Sequence, residues 1–327
     1  IIPIMMIGDE LGLFEKLYKF GPCSSNKFAK KTEMDHRYLR EWLLALSAAG
    51  YVSYESKTEF FSLSDEQYSV LGDENSPSLM IGGFENLVGA VHNYHLIKQN
   101  FKTGKGTEWG SLHPCCLSGS ARFFKPAYSI FLINKWLPSI KGAVSTLNKG
   151  GSFADIGCGF GHSTTMIAEQ YPQSSVKGID PHEQSIHEAQ KIAEQKNLNN
   201  LSYEIATAES YSGEYDIISF FDCLHDMGDP IAAVSYAKTK LKPGGSLMII
   251  EPYANDEVSK NFNIIGQMYY AFSTIACVPA SKSQEGGMAL GAQAGLKKLT
   301  NVLNNGGFSK IEMTYKTASN MVIEARV

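Results

Sequence analysis

The chain has 327 residues, of which 43% are hydrophobic and 19% are charged, as in an ordinary globular protein. This length is sufficient for one large domain and a smaller one. The formal net charge of −4 argues against a general affinity for nucleic acid or for an anionic membrane surface. No apolar run approaches the roughly 18 residues that a membrane span needs. Six scattered cysteines without paired spacing indicate free thiols, and so a cytoplasmic protein rather than a disulfide framework.

The first 72 residues predict a small, mostly helical domain. Apolar residues recur at helical spacing over 1–19, and a second short helix begins at Ser24 or Ser25. A third helix starts at Asp35, and two short alternating segments, 51–54 and 60–63, follow it. Three helices and a hairpin of this size predict a winged helix-turn-helix domain over residues 1–72.

A winged helix invites a DNA-binding interpretation, which the charge of this segment disfavours. Residues 1–70 carry eight Lys and Arg and ten Asp and Glu, a balance of about −2. Binding a duplex requires the neutralisation of several phosphates. We therefore expect the domain to form a homodimer and to help cover a small-molecule substrate, with no nucleic acid or membrane partner. A ligand-sensing winged-helix transcriptional regulator remains the alternative.

Residues 73–145 predict a helical linker that roofs a pocket. Helices are expected over 78–99 and 123–136, with a loop over 103–119 between them. In that loop His113 lies near Cys115 and Cys116, but adjacent cysteines do not suit tetrahedral zinc. No metal site is predicted in the chain.

From residue 146 to 327, strands and helices alternate as a parallel sheet requires. The pattern predicts an α/β, Rossmann-like domain of seven strands, with an insertion over 253–295 and two antiparallel strands at the end. The predicted parallel strands begin at Phe153 and otherwise cover 175–179, 201–205, 215–222 and 246–250.

A glycine-rich loop joins the first of these strands to a helix. Gly157, Gly159 and Gly161 follow Asp155, and a second acid, Asp180, ends the next strand. Glycines between a strand and a helix N-terminus let a ligand approach the backbone closely. The spacing G-x-G-x-G differs from the dinucleotide fingerprint, and a carboxylate at a strand end can accept hydrogen bonds from ribose hydroxyls.

Four stretches, ADIGCGFGHST, FFDCLHDMGDP, IIEPYA and LGAQAG, carry a closer resemblance. The chain resembles the class I S-adenosylmethionine-dependent methyltransferases with an N-terminal winged-helix domain, of the mycobacterial type. Its layout is also similar to that of plant-type small-molecule O-methyltransferases. The resemblance implies S-adenosylmethionine as cofactor. The cofactor-binding residues that it implies are Asp155, Gly157 and Gly159 in the loop, Asp180 at the ribose, Ala208 near the adenine, and Phe221 and Asp222 near the methionine portion.

The same resemblance makes His225 the candidate catalytic base. A histidine of ordinary pKa can deprotonate a hydroxyl at neutral pH, and Asp226 or Asp229 could orient it. A histidine that only caps the loop is the alternative. The sequence departs from the plant-type enzymes after Asp226, where Met227 stands in place of a tryptophan.

The predicted substrate is a small, largely apolar or aromatic molecule that is methylated at oxygen, with nitrogen and carbon left open. A pocket rich in aromatic residues and poor in fixed charges favours such a molecule. The candidate lining residues are Phe84, Tyr94, Trp109, Phe123, Phe124, Tyr128, Tyr269, Tyr270 and Phe272.

Overall fold

The computed structural model describes residues 1–327, which divide into two compact units. One unit comprises residues 1–92 and 113–127, and the other comprises residues 93–112 and 128–327. The predicted linker, 73–145, is thus shared between the two units. None of the helices combines the length and the apolar character that crossing a bilayer requires.

The first unit is mostly helical. Its helices are Ile2–Glu10, Leu13–Phe20, Ser25–Thr32, His36–Ala48, Asp65–Leu71, the first part of Ile81–Thr103, and Pro114–Ala127. Ser24 and Asp35 cap two of these helices, since their side chains accept hydrogen bonds from the backbone N–H groups of Lys27 and Arg37.

The winged helix-turn-helix is present as predicted. Helices Ser25–Thr32 and His36–Ala48 precede the antiparallel strands β1, Ser53–Glu55, and β2, Phe60–Ser62. Phe61 of β2 faces inward, where it joins a buried apolar core to which both helices contribute. The hairpin is held on the helices by this core.

The expectation of one helix over 1–19 is wrong, because the helical conformation is interrupted at Gly12. This residue has φ of +64°, a conformation that glycine adopts without steric cost and other residues rarely adopt. Two helices, Ile2–Glu10 and Leu13–Phe20, result.

The expectation of a loop over 103–119 is also partly wrong. A short 3₁₀ turn, Trp109–Ser111, is followed by helix Pro114–Ala127, with proline at its first position, where no N–H donor is lost. Pro126 lies inside this helix and cannot donate to the preceding turn. The chain continues as a π-helical stretch, Tyr128–Trp136.

The second unit is built on a seven-stranded sheet of order β5-β4-β3-β6-β7-β9-β8. Its strands are β3 Ser152–Ile156, β4 Ser175–Asp180, β5 Leu201–Ile205, β6 Tyr215–Phe221, β7 Leu241–Pro252, β8 Lys310–Lys316 and β9 Asn320–Arg326. Strands β3 to β7 are parallel, and β9 pairs antiparallel with both β7 and β8. The predicted Rossmann-like α/β fold is confirmed.

Helices connect these strands, and a further group lies in the insertion. The connecting helices are Ala143–Asn148, His162–Gln170, Glu183–Gln195, Pro230–Lys240 and Gly295–Asn305, with Leu137–Ser139 before them and the 3₁₀ turn Leu224–Asp226 after β6. The insertion holds the 3₁₀ turn Val258–Asn261, helix Ile264–Phe272, the π-helical turn Ser273–Cys277 and helix Val278–Ser283.

The central strands β3 and β6 are buried on both faces, which explains their continuous apolar runs. Because β3, β4 and β6 are parallel, their carboxyl ends meet at one edge of the sheet. That edge, at the point where the strand order reverses, is where ligands bind in open α/β sheets.

Candidate active site

The glycine loop leaves β3 at Ile156 and enters helix His162–Gln170. Gly157 has φ of +71°, and a Cβ there would lie 2.8 Å from the Cys223 sulfur. Gly159 has φ of +52°, and a Cβ there would meet nothing within 4 Å. Gly157 is therefore needed for close packing, whereas the backbone of Gly159 borders open space that a ligand can enter.

Asp155 lies beneath this loop and is completely buried. Its carboxylate accepts hydrogen bonds from the hydroxyls of Ser163 at 2.6 Å, Thr164 at 2.9 Å and Ser219 at 3.3 Å. Burial raises the pKa of Asp155 to about 6, although these hydrogen bonds favour the charged form. The geometry favours a role in fixing the loop over direct contact with a ligand.

Asp180 ends β4 and also supports the loop. Its Oδ2 accepts a hydrogen bond from the backbone N–H of Gly159 at 2.9 Å, and its Oδ1 accepts one from the N–H of His182 at 2.8 Å. Each carboxylate oxygen retains a second lone pair. The side chain can therefore accept further hydrogen bonds from a diol. Ala208 follows β5 and packs partly buried against the core of this unit.

Asp222 follows β6 directly and is buried in an unusual backbone conformation. Its φ is +49°, which is uncommon outside glycine and is stabilised here by a hydrogen bond from its N–H to the carbonyl of Ile250 at 2.8 Å. Its carboxylate accepts a hydrogen bond from the Asn320 amide at 2.9 Å and a longer one from the Tyr128 hydroxyl at 3.5 Å. Burial and the nearby Glu251 charge raise the pKa of Asp222 well above its usual range. Phe221 lies beside it, with its ring edge-on to Tyr128.

His225 lies in the 3₁₀ turn Leu224–Asp226 after β6 and is 3% exposed. Its Nδ1 donates a short hydrogen bond to Oε2 of Glu251, and its backbone N–H donates to Oε1 of the same residue at 3.3 Å. Its Nε2 lies 3.2 Å from Oδ1 of Asp226. Burial alone would lower the pKa of His225, but the carboxylates of Asp226 and Glu251 raise it well above its usual value.

Glu251 rather than an aspartate of the loop therefore orients the imidazole. Asp229, one of the two predicted partners, caps helix Pro230–Lys240 by accepting a hydrogen bond from the N–H of Ala232 at 2.9 Å. Asp226, the other predicted partner, contacts Nε2, the opposite nitrogen of the ring.

The candidate aromatic residues are divided between the two units. Within the first unit, Phe84 packs edge-on against Tyr51, and Phe123 packs against Phe124. Within the second unit, Tyr128 and the buried Tyr269 are close enough to Asp222 for its charge to raise their pKa values. The second unit therefore provides at least two aromatic side chains at the end of β6.

Comparison with known families and structures decides the family. Residues 147–307 match the methyltransferase domain model, and residues 2–72 match the Rv2258c-like winged HTH domain model. The chain therefore combines a methyltransferase domain with an N-terminal winged-helix domain. The resemblance predicted from the glycine loop and its neighbouring motifs is thus confirmed.

The curated relatives match less than half of this chain, and the matches span less than two thirds of the relatives' own length. The ubiquinone biosynthesis O-methyltransferase of Acinetobacter baylyi is 28% identical over 151 residues, which cover 45% of this chain and 60% of the relative. The trans-aconitate 2-methyltransferase of Deinococcus radiodurans is 30% identical over 105 residues, covering 32% of this chain and 39% of the relative.

Solved structures match the whole length of this winged-helix methyltransferase. PigF with SAH has a TM-score of 0.72 at 16% identity, and the match covers 100% of this chain and 96% of PigF. Human N-acetylserotonin methyltransferase in complex with SAM has a TM-score of 0.73 at 14% identity, with 99% and 93% covered. At these identities the likeness shows a shared fold.

Three residues of the site were not predicted from the sequence. They are Glu251, Asn320 and Cys277, the last of which lies close enough to His225 to raise its pKa. Glu251 follows the apolar run of β7 inside the stretch IIEPYA, so its position near the carboxyl end of this strand was a usable signal. Asn320 begins β9 and pairs in register with Pro252 of β7, which places it beside Asp222. No local pattern distinguishes Asn320 or Cys277 from ordinary core residues.

Proposed function

We propose that this winged-helix methyltransferase transfers a methyl group from S-adenosylmethionine to an oxygen of a small, largely apolar or aromatic molecule. The observation that carries the proposal is the buried pair of His225, which follows β6, and Glu251, which lies at the carboxyl end of β7. A base held at the end of the sheet where ligands bind is what deprotonation of a bound hydroxyl requires.

The loop residues fit the proposed cofactor. The open space beside Gly159 and the remaining lone pairs of Asp180 suit an extended ligand with a ribose diol. Ala208 would border the adenine, and Phe221 and Asp222 would border the methionine portion. When bound, S-adenosylmethionine supplies an activated methyl group on a positively charged sulfur.

The proposed role of His225 is to accept the hydroxyl proton at Nε2. Glu251 holds Nδ1–H, so the lone pair of neutral His225 lies on Nε2, and the same carboxylate stabilises the imidazolium that forms. Asp226 lies 3.2 Å from Nε2 and is 24% exposed, so its carboxylate must turn away when an acceptor enters. Because the pKa of His225 is raised, the neutral form accumulates as pH rises, and activity should rise with it.

Oxygen is the proposed acceptor atom because similar proteins are O-methyltransferases. Ubiquinone biosynthesis O-methyltransferase and mitomycin 7-O-methyltransferase are both named for transfer to oxygen. Tyr128 and Tyr269, near Asp222, supply aromatic surface for an apolar acceptor.

We further propose that the first unit forms a homodimer in the cytoplasm. Ile7 and Leu11 are 48% and 45% exposed although they are apolar, and all six cysteines are free. Light scattering should give twice the chain mass. A monomer would leave the exposed apolar residues of the first helices without an explanation.

A labelled-cofactor assay tests the function. The full chain is incubated with radiolabelled S-adenosylmethionine and a panel of phenols, carboxylic acids, amines and sterols. The proposal expects cofactor binding by calorimetry and labelled ethers from one or more phenols. Binding of NADH in preference to S-adenosylmethionine would contradict the function altogether, whereas N- or C-methylated products would contradict only the acceptor atom.

A further inference from the structure

Three side chains with different metal-ligand atoms meet after β6. An imidazole nitrogen of His225, a carboxylate oxygen of Asp226 and the sulfur of Cys277 all lie within 4.8 Å of one another. Zinc binds these atom types at about 2.0–2.3 Å in a tetrahedral arrangement, which separates neighbouring ligand atoms by about 3–4 Å. Small side-chain movements therefore suffice to close the three ligands on one ion.

An observation independent of this proximity also points to a cation. Nδ1 of His225 is held by the buried carboxylate of Glu251, and a metal-bound histidine characteristically donates its other ring N–H to such a partner. Oδ1 of Asp226 is buried and lies 3.2 Å from Nε2 of His225. A metal ion bound at Nε2 would replace the ring proton that faces this carboxylate.

The cluster is also accessible. His225 and Cys277 are nearly buried, whereas the side chain of Asp226 is 24% exposed and gives the cluster a side open to solvent. The ligands come from two short elements, the 3₁₀ turn Leu224–Asp226 and the π-helical turn Ser273–Cys277. An ion could enter past Asp226 and keep one coordination position for water.

We propose that the winged-helix methyltransferase binds one Zn²⁺ reversibly through Nε2 of His225, a carboxylate oxygen of Asp226 and Sγ of Cys277. Three coordinate bonds form, the thiol proton and any proton on Nε2 pass to solvent, and no oxidation or reduction occurs. Coordination occupies the lone pair that accepts the substrate proton, so the zinc-bound enzyme lacks its base. This inhibition rests on the proposed function, whereas the coordination does not.

Cobalt spectroscopy of the full chain tests the site without a methyl acceptor. Co²⁺ is added to reduced, metal-free protein, and Zn²⁺ is then used to displace it. We expect one cobalt per chain and a thiolate-to-cobalt absorption band. Glu251→Gln should weaken Zn²⁺ binding by about 10–100-fold, as loss of an outer-shell partner does.

Variants locate the ligands. Cys277→Ser should abolish the thiolate band, and Asp226→Asn should weaken binding while leaving the band in place. Cys115→Ser is the matched control, since Cys115 lies beside His113 and Cys116 in the other unit and should not contribute. A band that survives Cys277→Ser, or that disappears with Cys115→Ser, overturns the assignment.

X-ray absorption of the zinc-loaded wild-type chain identifies the ligand atoms directly. Because this test uses no variant, a folding defect cannot affect the result. The site predicts one sulfur neighbour at about 2.3 Å, with nitrogen and oxygen in the remaining positions. Two sulfurs, no sulfur, or no saturable zinc binding would contradict it. Cofactor binding and methyl transfer in metal-free buffer are measured separately, so failure of either proposal is distinguishable from failure of the other.

Discussion

Two acidic residues are buried in the second unit, Asp155 in β3 and Glu251 in β7. They accept hydrogen bonds from different kinds of donor. Asp155 of β3 accepts hydrogen bonds from three neutral hydroxyls. Glu251 of β7 accepts hydrogen bonds from His225, a group that can gain or lose a proton. The hydroxyls around Asp155 serve to fix the glycine loop. The imidazole held by Glu251 can take up a proton from a bound substrate, so the two carboxylates differ in that one supports the loop and the other orients a base.

Among the residues that support the site, the largest effect should follow from Glu251→Gln, which removes the charge that orients His225. We expect kcat to fall by about 10³-fold, because a neutral amide neither holds the reactive tautomer nor stabilises the imidazolium. The pH–rate profile should also move to lower pH, since loss of the Glu251 charge lowers the pKa of His225. A fall in kcat without any shift of the profile would indicate that Glu251 acts only through packing.

The stability of the fold should depend on pH through Asp155. Burial raises its folded pKa to about 6, above an unfolded value near 4, so the native state binds more protons between these two pH values. The unfolding free energy contributed by this group therefore falls by about 2–3 kcal/mol as pH rises from 4 to 7. Urea titrations at several pH values should show this fall in unfolding free energy for the wild type and not for Asp155→Asn. Parallel pH dependence in the two proteins would refute it.

Removing one hydroxyl beneath the loop should have a smaller effect. Thr164→Val keeps the shape of a fully buried side chain but loses its hydrogen bond to Asp155, and we expect a loss of about 2 kcal/mol at pH 7. Thr165→Val is the control, since its hydroxyl lies 3.4 Å from that of Tyr203 and contacts no carboxylate. Equal losses from the two variants would mean that the Asp155 charge is irrelevant to loop stability.

The smallest effect should come from Asn320→Ala at the end of β9. This variant removes one hydrogen bond to Asp222, so we expect S-adenosylmethionine to bind about 5-fold more weakly, a loss of ~1 kcal/mol. Calorimetry measures the change, and kcat at saturating cofactor should remain close to that of the wild type. A large fall in kcat with unchanged cofactor affinity would place Asn320 in a different role.

The sequence allowed prediction where the functional residues are close together along the chain. The strand, the glycines and the helix cap occupy one continuous stretch, so the loop from Asp155 to Gly161 and the sheet around it could be predicted. The break at Gly12 was not predicted, because a single glycine is tolerated within many helices. The helix that begins at Pro114 was hidden by a composition typical of loops.

Pairings between distant residues could not be predicted in this way. His225 and Glu251 meet because β6 and β7 are parallel neighbours in a particular register, and Asn320 reaches Asp222 because β9 returns antiparallel beside β7. One-residue shifts in either register would break these contacts without altering any local pattern. The loop could therefore be identified from the sequence, whereas the partners of His225 required the structure.

The most direct test of the central claim compares His225→Ala with the wild type in transfer of labelled methyl groups to a phenolic acceptor. We expect an ether product and a fall in kcat of about 10²–10⁴-fold, with S-adenosylmethionine affinity unchanged. His187→Ala, at an exposed position on helix Glu183–Gln195, should retain the wild-type rate. Undiminished transfer by His225→Ala would contradict the assignment of His225 as the base.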